Sequence, residues 1–249
     1  MMGTPQWPPY PERAESPRRR RSAPRQPVFN TFSIAARCPR TGDFGVAVST
    51  ARPAVGAAVP WVSALAAIAT QAKTNTDLGR QALVRLESGG ALEETLQALL
   101  AGDPESEKRQ LHGVTADAAF AHTGRECQPW CGHRTGDGWS VAGNLLAGPF
   151  VIDAMAAAFT RAAIAELPER LVLALEAGQA AGGDKRGKQS AALLVASADP
   201  RPHHNLRVDD HPDPVAELRR LHDLARAFTE TLLKDYDAEG LRIYRRPKL

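Results

Sequence analysis

Thr31-Phe-Ser-Ile-Ala-Ala36, followed by Thr41-Gly-Asp-Phe44-Gly-Val-Ala-Val-Ser49, is the stretch whose reading decides the fold. Its first part alternates and is rich in β-forming residues, so it reads as a strand. Thr41-Gly42-Asp43 is a turn signal, and Phe44 to Ser49 reads as a second strand. The pair predicts a hairpin slightly longer than the two-residue kind. The chain therefore opens with antiparallel pairing rather than a β-α-β crossover.

Downstream, Leu65 to Lys73 reads as an apolar strand. Leu78 to Glu87 and Leu92 to Leu100 read as helices, parted by Gly89-Gly90, a helix stop. Gln110 to Thr115 and Ala118 to His122 suggest another hairpin, and Trp139 to Leu146 a strand. Pro149 to Ala165 and Pro168 to Ala180 are expected helices, each opened by Pro. Gln189 to Ala196 and Leu206 to Asp209 are expected strands, and Pro214 to Lys234 a long amphipathic helix. Strands in hairpins with helices in antiparallel pairs argue against a doubly wound parallel sheet. They suit antiparallel sheets with helical layers outside.

Upstream, residues 1–27 hold seven of the 19 prolines and almost no aliphatic side chains. Such a segment cannot bury enough apolar surface to offset its ordering entropy and reads as a disordered tail. Residues 28–249 are expected to form a single domain. The chain of 249 residues carries a formal net charge of +3, but residues 1–30 hold six Arg and two Glu. The remainder sums to −1, so nucleic-acid binding finds no support in the globular part. Three Cys argue against a disulfide scaffold and fit a cytoplasmic protein. No run approaches the roughly 18 apolar residues that span a bilayer. The basic run Arg18 to Arg21 is followed by Ser-Ala-Pro-Arg-Gln-Pro27, not by the apolar segment of a secretory signal.

Gly182-Gly-Asp-Lys-Arg-Gly187-Lys188 has phosphate-loop spacing, but Gln189 stands where Ser or Thr would meet Mg²⁺. A helix precedes it and a strand follows, the reverse of what that loop needs. Cys127, Cys131 and His133 fall one ligand short of a structural zinc site, and no metal is expected. His203, His204 and His211 read as exposed loop histidines, with Asp209 and Asp210 able to orient His211. Thr31 opens the first strand. Its hydroxyl needs a base, and a free α-amine on the same residue would be one, with a reference pKa of about 7.7–8.0. The simpler reading is a β-branched residue in a strand. Gly143-Asn144 could supply oxyanion donors, although such a pair is common at strand ends.

Taken together, certain blocks resemble a known family. They are Thr31-Phe-Ser-Ile-Ala-Ala, Thr41-Gly-x-Phe-Gly-Val-Ala-Val, Ala69-Thr-Gln-Ala-x-x-Asn75, Ala121-His-Thr-Gly, Gly132-His133, Gly143-Asn144-Leu-Leu-Ala-Gly-Pro149, Gly182-Gly-Asp-Lys-Arg-Gly-x-Gln-Ser-Ala-Ala-Leu and Leu206-Arg-Val-Asp-Asp-His-Pro-Asp-Pro. The chain is similar across 31–249 to the bacterial and archaeal domain-of-unknown-function 1028 family. That family is similar in fold to the N-terminal-nucleophile (Ntn) hydrolases. The resemblance implies an α+β, four-layer αββα sandwich, with two antiparallel sheets between helical layers. It also implies that Thr31 is the nucleophile attacking an amide-type bond in a small substrate, without a cofactor.

Gln71, Asn75, His133, Asn144, Asp184, Arg186, Gln189 and Ser190 lie in the family's blocks. By residue chemistry Asn144 would stabilise the oxyanion. Asp184 or Arg186 would hold a charged group of the substrate or a polar neighbour. Gln189 and Ser190 would be supporting donors, with Gln71, Asn75 and His133 also placed around the substrate. Thirty residues precede Thr31 here, whereas family members begin near it. An acylated nitrogen is no base, so the mechanism requires a freed amine. The alternative is a non-catalytic small-molecule-binding protein on the same scaffold. The expected partners are a small-molecule substrate and, in a homo-oligomer, a second copy, with neither nucleic acid nor membrane.

Overall fold

Period-2 alternation separates the two faces of the strand that starts at Thr31, and each face meets a different layer. A computed structural model describes residues 28–29 and 31–235. The tail expected over residues 1–27 lies outside them. The strands are β1 (Val28–Phe29), β2 (Thr31–Arg37), β3 (Phe44–Thr50), β4 (Pro60–Val62), β5 (Ala67–Lys73), β6 (Arg109–Val114), β7 (Ala119–Thr123), β8 (Gly132–Gly136), β9 (Trp139–Gly143), β10 (Ser190–Ala196) and β11 (Asn205–Val208). The helices are α1 (Thr76–Glu87), α2 (Leu92–Ala101), α3 (Phe150–Arg161), α4 (Leu167–Ala180) and α5 (Pro214–Asp235).

Every strand pairing is antiparallel. One sheet runs β11-β10-β3-β2-β9-β8, and the other β1-β5-β6-β7 with β4 also on β5. In β2, Phe32, Ile34 and Ala36 point to a core shared with Val151, Met155 and Phe159 of α3, Leu171 and Leu175 of α4, and Leu218 of α5. Ala35 points the other way, with Val46, Val48, Ala67, Ala69 and Val114, into the layer between the sheets. Ile68 and Leu111 of the second sheet pack against Leu78, Ala82, Leu96 and Leu99 of α1 and α2. Three apolar layers thus separate four structural ones, giving the αββα sandwich with two antiparallel sheets inside.

The helix boundaries follow local chemistry. The Asn75 side chain accepts from the Asp77 N–H and caps α1, as side-chain oxygens at that position do. Gly182 (φ 104°) and Gly183 (φ 51°) take the left-handed region and stop α4, their N–H groups returning to Gln179 O and Gly178 O. No described helix is long and apolar enough to cross a membrane.

Two features position the site. The hairpin order brings Thr31 opposite Thr50 of β3, while β9 lies on the other side with Phe32 opposite Gly143. Across the gap, β5 and β6 align Gln71 with Gln110 and Ala69 with His112. Just before Thr31, β1 pairs with the second sheet, Val28 opposite Lys73 and Phe29 opposite Ala72. Phe29 thus belongs to one sheet and Thr31 to the other.

Candidate active site

The layer between the sheets is apolar at one end and polar at the other. Thr31 and Ser33 share a face of β2 and point into the polar end, as do Gln71, Gln110, His112 and Ser140 from their strands and Asn144 from just after β9. All seven are fully buried. Buried polar groups must find partners, so their bonds form a closed accounting problem. Gln110 Nε2 donates to Gly143 O (2.7 Å) and Gly132 O (3.2 Å) and lies 3.0 Å from Thr123 Oγ1. Gln110 Oε1 accepts from Asn144 Nδ2 (2.8 Å) and Gln71 Nε2 (3.0 Å). Gln71 Oε1 accepts from the Ser33 hydroxyl at 2.6 Å.

The Ser33 proton is thereby committed. His112 Nε2, 2.8 Å from Ser33 Oγ, must donate to it, and His112 Nδ1 then accepts from Ser140 Oγ at 2.9 Å. Burial, with His133 nearby, holds the His112 pKa down to about 3, consistent with a neutral ring. Ser33 and His112 look like a nucleophile and base by proximity. The proton runs the wrong way: the imidazole donates to Ser33 and cannot also deprotonate it.

Thr31 sits at the head of this network. Its carbonyl accepts the Asn144 N–H at 3.0 Å. The Thr31 hydroxyl and Asn144 Oδ1 have no hydrogen-bond partner among the described residues. Two non-glycine residues in the left-handed region flank the site, Ala72 (φ 68°) after Gln71 and Leu145 (φ 53°) after Asn144. Strained backbone of this kind concentrates at functional sites.

Of the other residues singled out in the sequence, Asp184 is buried and holds a neighbour. Its carboxylate accepts from Arg186 Nη2 (2.6 Å) and from the Ala51 N–H (3.2 Å), just beyond Thr50. Ser190 bonds Arg52 O and the Val55 N–H, and Gln189 bonds Asp210 while its backbone N–H meets Thr50 O. These four brace the end of β3 beside Thr31. His133 Nδ1 lies 2.9 Å from Thr123 Oγ1 at the edge of the network, and burial lowers its pKa. The Asn75 side chain caps α1 and reaches Asp103 (3.4 Å). Ser33, Gln110, His112 and Ser140 went unnoticed in the sequence. Their signal was polar residues at period 2 inside otherwise buried strands.

A family model, "Family of unknown function (DUF1028)", matches residues 31–218. The chain belongs to this family. The match starts at Thr31 itself. Protein SPO2555 from Silicibacter pomeroyi, a crystal structure of the same family, is 34% identical and superposes with a TM-score of 0.73, covering 79% of this chain and 86% of that one. Among curated proteins, none matches.

Other clusters in this family member have structural explanations. The Gly182–Lys188 loop lies between α4 and β10, and its polar side chains are used internally, Lys188 pairing with Asp213 at 2.8 Å. Cys127 Sγ donates to Arg109 O (3.3 Å), and burial pushes this thiol up to about 12. Glu169, His222 and Asp223 bring ligand atoms within 4.8 Å of one another. Arg219 already bonds Glu169 (2.7 Å) and Asp223 (3.4 Å), so the group reads as an ion-pair network. His203 and His204 are buried rather than exposed, stacked edge-on beneath α5 with ring centroids 4.7 Å apart. A cavity of about 760 Å³, lined by Cys38, Arg40, Asp199, Arg201 and His203 among others, opens at the far end of β2 from Thr31.

Proposed function

We propose that this chain hydrolyses an amide-type bond in a small molecule, with Thr31 as nucleophile and its own freed α-amine as base. The observation that carries the reading is the Thr31 hydroxyl. It has no partner among the described residues and heads β2 at the polar end of the layer between the sheets, where the Thr31 carbonyl accepts the Asn144 N–H. The amine takes the hydroxyl proton as Oγ attacks the substrate carbonyl. Asn144 retains one amide hydrogen beyond the one given to Gln110, and it stabilises the oxyanion of the tetrahedral intermediate. The protonated α-amine then gives its proton to the leaving nitrogen, and water hydrolyses the Thr31 ester.

With residue 30 attached, the nitrogen of Thr31 is an amide, and Thr31 is fully buried. The intact chain is therefore the inactive form. Cleavage before Thr31, by its own hydroxyl or by another protease, supplies the base. The test starts with the intact mass of the purified protein. After denaturation, periodate converts an N-terminal Thr to an aldehyde only if its amine is free. A chain starting at Thr31 should turn over members of a panel of small amides and ureido compounds, and a Thr31→Ala variant should not. The reading is lost if the uncleaved chain matches the trimmed one in turnover. A second reading, a binding protein on the same scaffold, draws on the cavity at the far end of β2. It gains if neither chain turns over any amide.

A further inference from the structure

The orientation of a buried carboxamide can be deduced when one end of its network is fixed by groups of a single kind. Gln110 Nε2 faces two backbone carbonyls, Gly143 O and Gly132 O, which can only accept. That atom is therefore nitrogen, and the opposite end of the Gln110 carboxamide is its oxygen. The Asn144 atom 2.8 Å from that oxygen must in turn be nitrogen, because two acceptors would repel. Asn144 Oδ1 is thus turned away from Gln110. It is buried and accepts from no described residue, like the Thr31 hydroxyl on the neighbouring strand.

We infer that Gln110 is a positioning residue: it fixes Asn144 so that a carboxamide oxygen, not only an amide hydrogen, is presented to Thr31. This inference rests on Thr31 being the nucleophile. The group that meets this oxygen must be a donor, and the freed α-amine of Thr31 is that donor. An amine giving one hydrogen to Asn144 Oδ1 has its rotation fixed, which aims its lone pair at the hydroxyl proton. One carboxamide then serves both ends of the step, its oxygen orienting the base and its remaining N–H meeting the oxyanion. Ser33, His112 and Ser140 complete the clamp by committing Gln71 as a second donor to Gln110.

The test uses the full-length chain labelled with ¹⁵N. The Asn144 side-chain amide signals are identified by their loss in Asn144→Asp. The expected result is one Asn144 amide proton shifted downfield by its bond to Gln110. That shift should persist in Gln71→Met, where the two carbonyls still hold Gln110, and disappear in Gln110→Met. A shift that survives in Gln110→Met overturns the positioning role. If Gln110→Met does not fold, the wild-type spectrum decides, since an Asn144 pair with no downfield proton overturns it equally. In turnover by the chain that starts at Thr31, Gln110→Met should lower kcat with little change in KM. The spectrum does not depend on chemistry at Thr31. The expected spectrum in a protein whose Thr31→Ala variant keeps full turnover would sink the nucleophile reading, and with it the use assigned to the oxygen.

Discussion

The backbone N–H of Asn144 donates to the carbonyl of Thr31 at 3.0 Å, which clasps the residue that opens β2 to the residue that follows β9. The clasp leaves both side chains on one face, with Asn144 steered by Gln110. Asn144→Ala should therefore lower the rate of amide hydrolysis on the order of 10²-fold, the usual effect of removing one oxyanion donor. Far-ultraviolet circular dichroism should be unchanged. Full activity in this variant would remove Asn144 from the mechanism.

His112 makes stability depend on pH in a defined window. Burial holds its folded pKa down to about 3, below the ordinary 6.5 of a histidine. Between those values the unfolded chain binds a proton that the folded chain does not. Stability therefore falls as pH drops from about 6.5 towards 3, by at most about 1.4 kcal/mol per pH unit from this group. Chemical denaturation of wild type and His112→Gln at several pH values should give a shallower slope for the variant. Parallel slopes would show that His112 is not the group responsible.

Arg109 is 1% exposed and bonds Asp103 at 2.9 Å, with a further bond to the carbonyl of Lys73. Arg109→Met should destabilise the protein by about 3–5 kcal/mol, because it strands a buried carboxylate. Adding Asp103→Asn should restore part of that loss. A double variant no more stable than the single one would mean that packing of the arginine stem, not the stranded charge, sets the cost.

Gly113 follows His112 on β6. A Cβ there would lie 2.5 Å from Ala67 O and 2.4 Å from Ile68 Cδ1. The first of these is backbone of the paired strand β5 and cannot swing aside. Gly113→Ala should cost about 1–3 kcal/mol, read as a lower Tm, by the usual penalty for overpacking. An unchanged Tm would mean that β5 and β6 can separate locally at no cost.

Much of the architecture was legible along the chain. The long periodic elements, β2, β3, β10 and the five helices, stand close to where alternation, glycine stops and prolines put them. Three strands were missed for physical reasons. β8 is the polar edge sequence Gly-His-Arg-Thr-Gly, β4 is three residues beginning with Pro, and β1 is two residues long. None carries a hydrophobic period. Asn75 falls in a family block, and its position just before α1 is itself a capping signal that the structure uses. His203 and His204 looked exposed in a polar, Pro-rich stretch. Their burial depends on α5, which arrives from further along the chain.

The strand and helix periods, the antiparallel hairpin opening and the family are readable along the chain. These depend on local spacing and on blocks of contiguous residues. Which polar residues share the layer between the sheets depends on how those sheets stack. Ser33, Gln71, Gln110, His112 and Ser140 come from four different strands, and Asn144 from the residue that follows β9. The direction of each proton among them is set by two backbone carbonyls, at Gly132 and Gly143. Side-chain spacing carries no record of where a distant carbonyl will point. Whether a buried histidine gives or takes a hydrogen is therefore fixed only once the sheets have stacked.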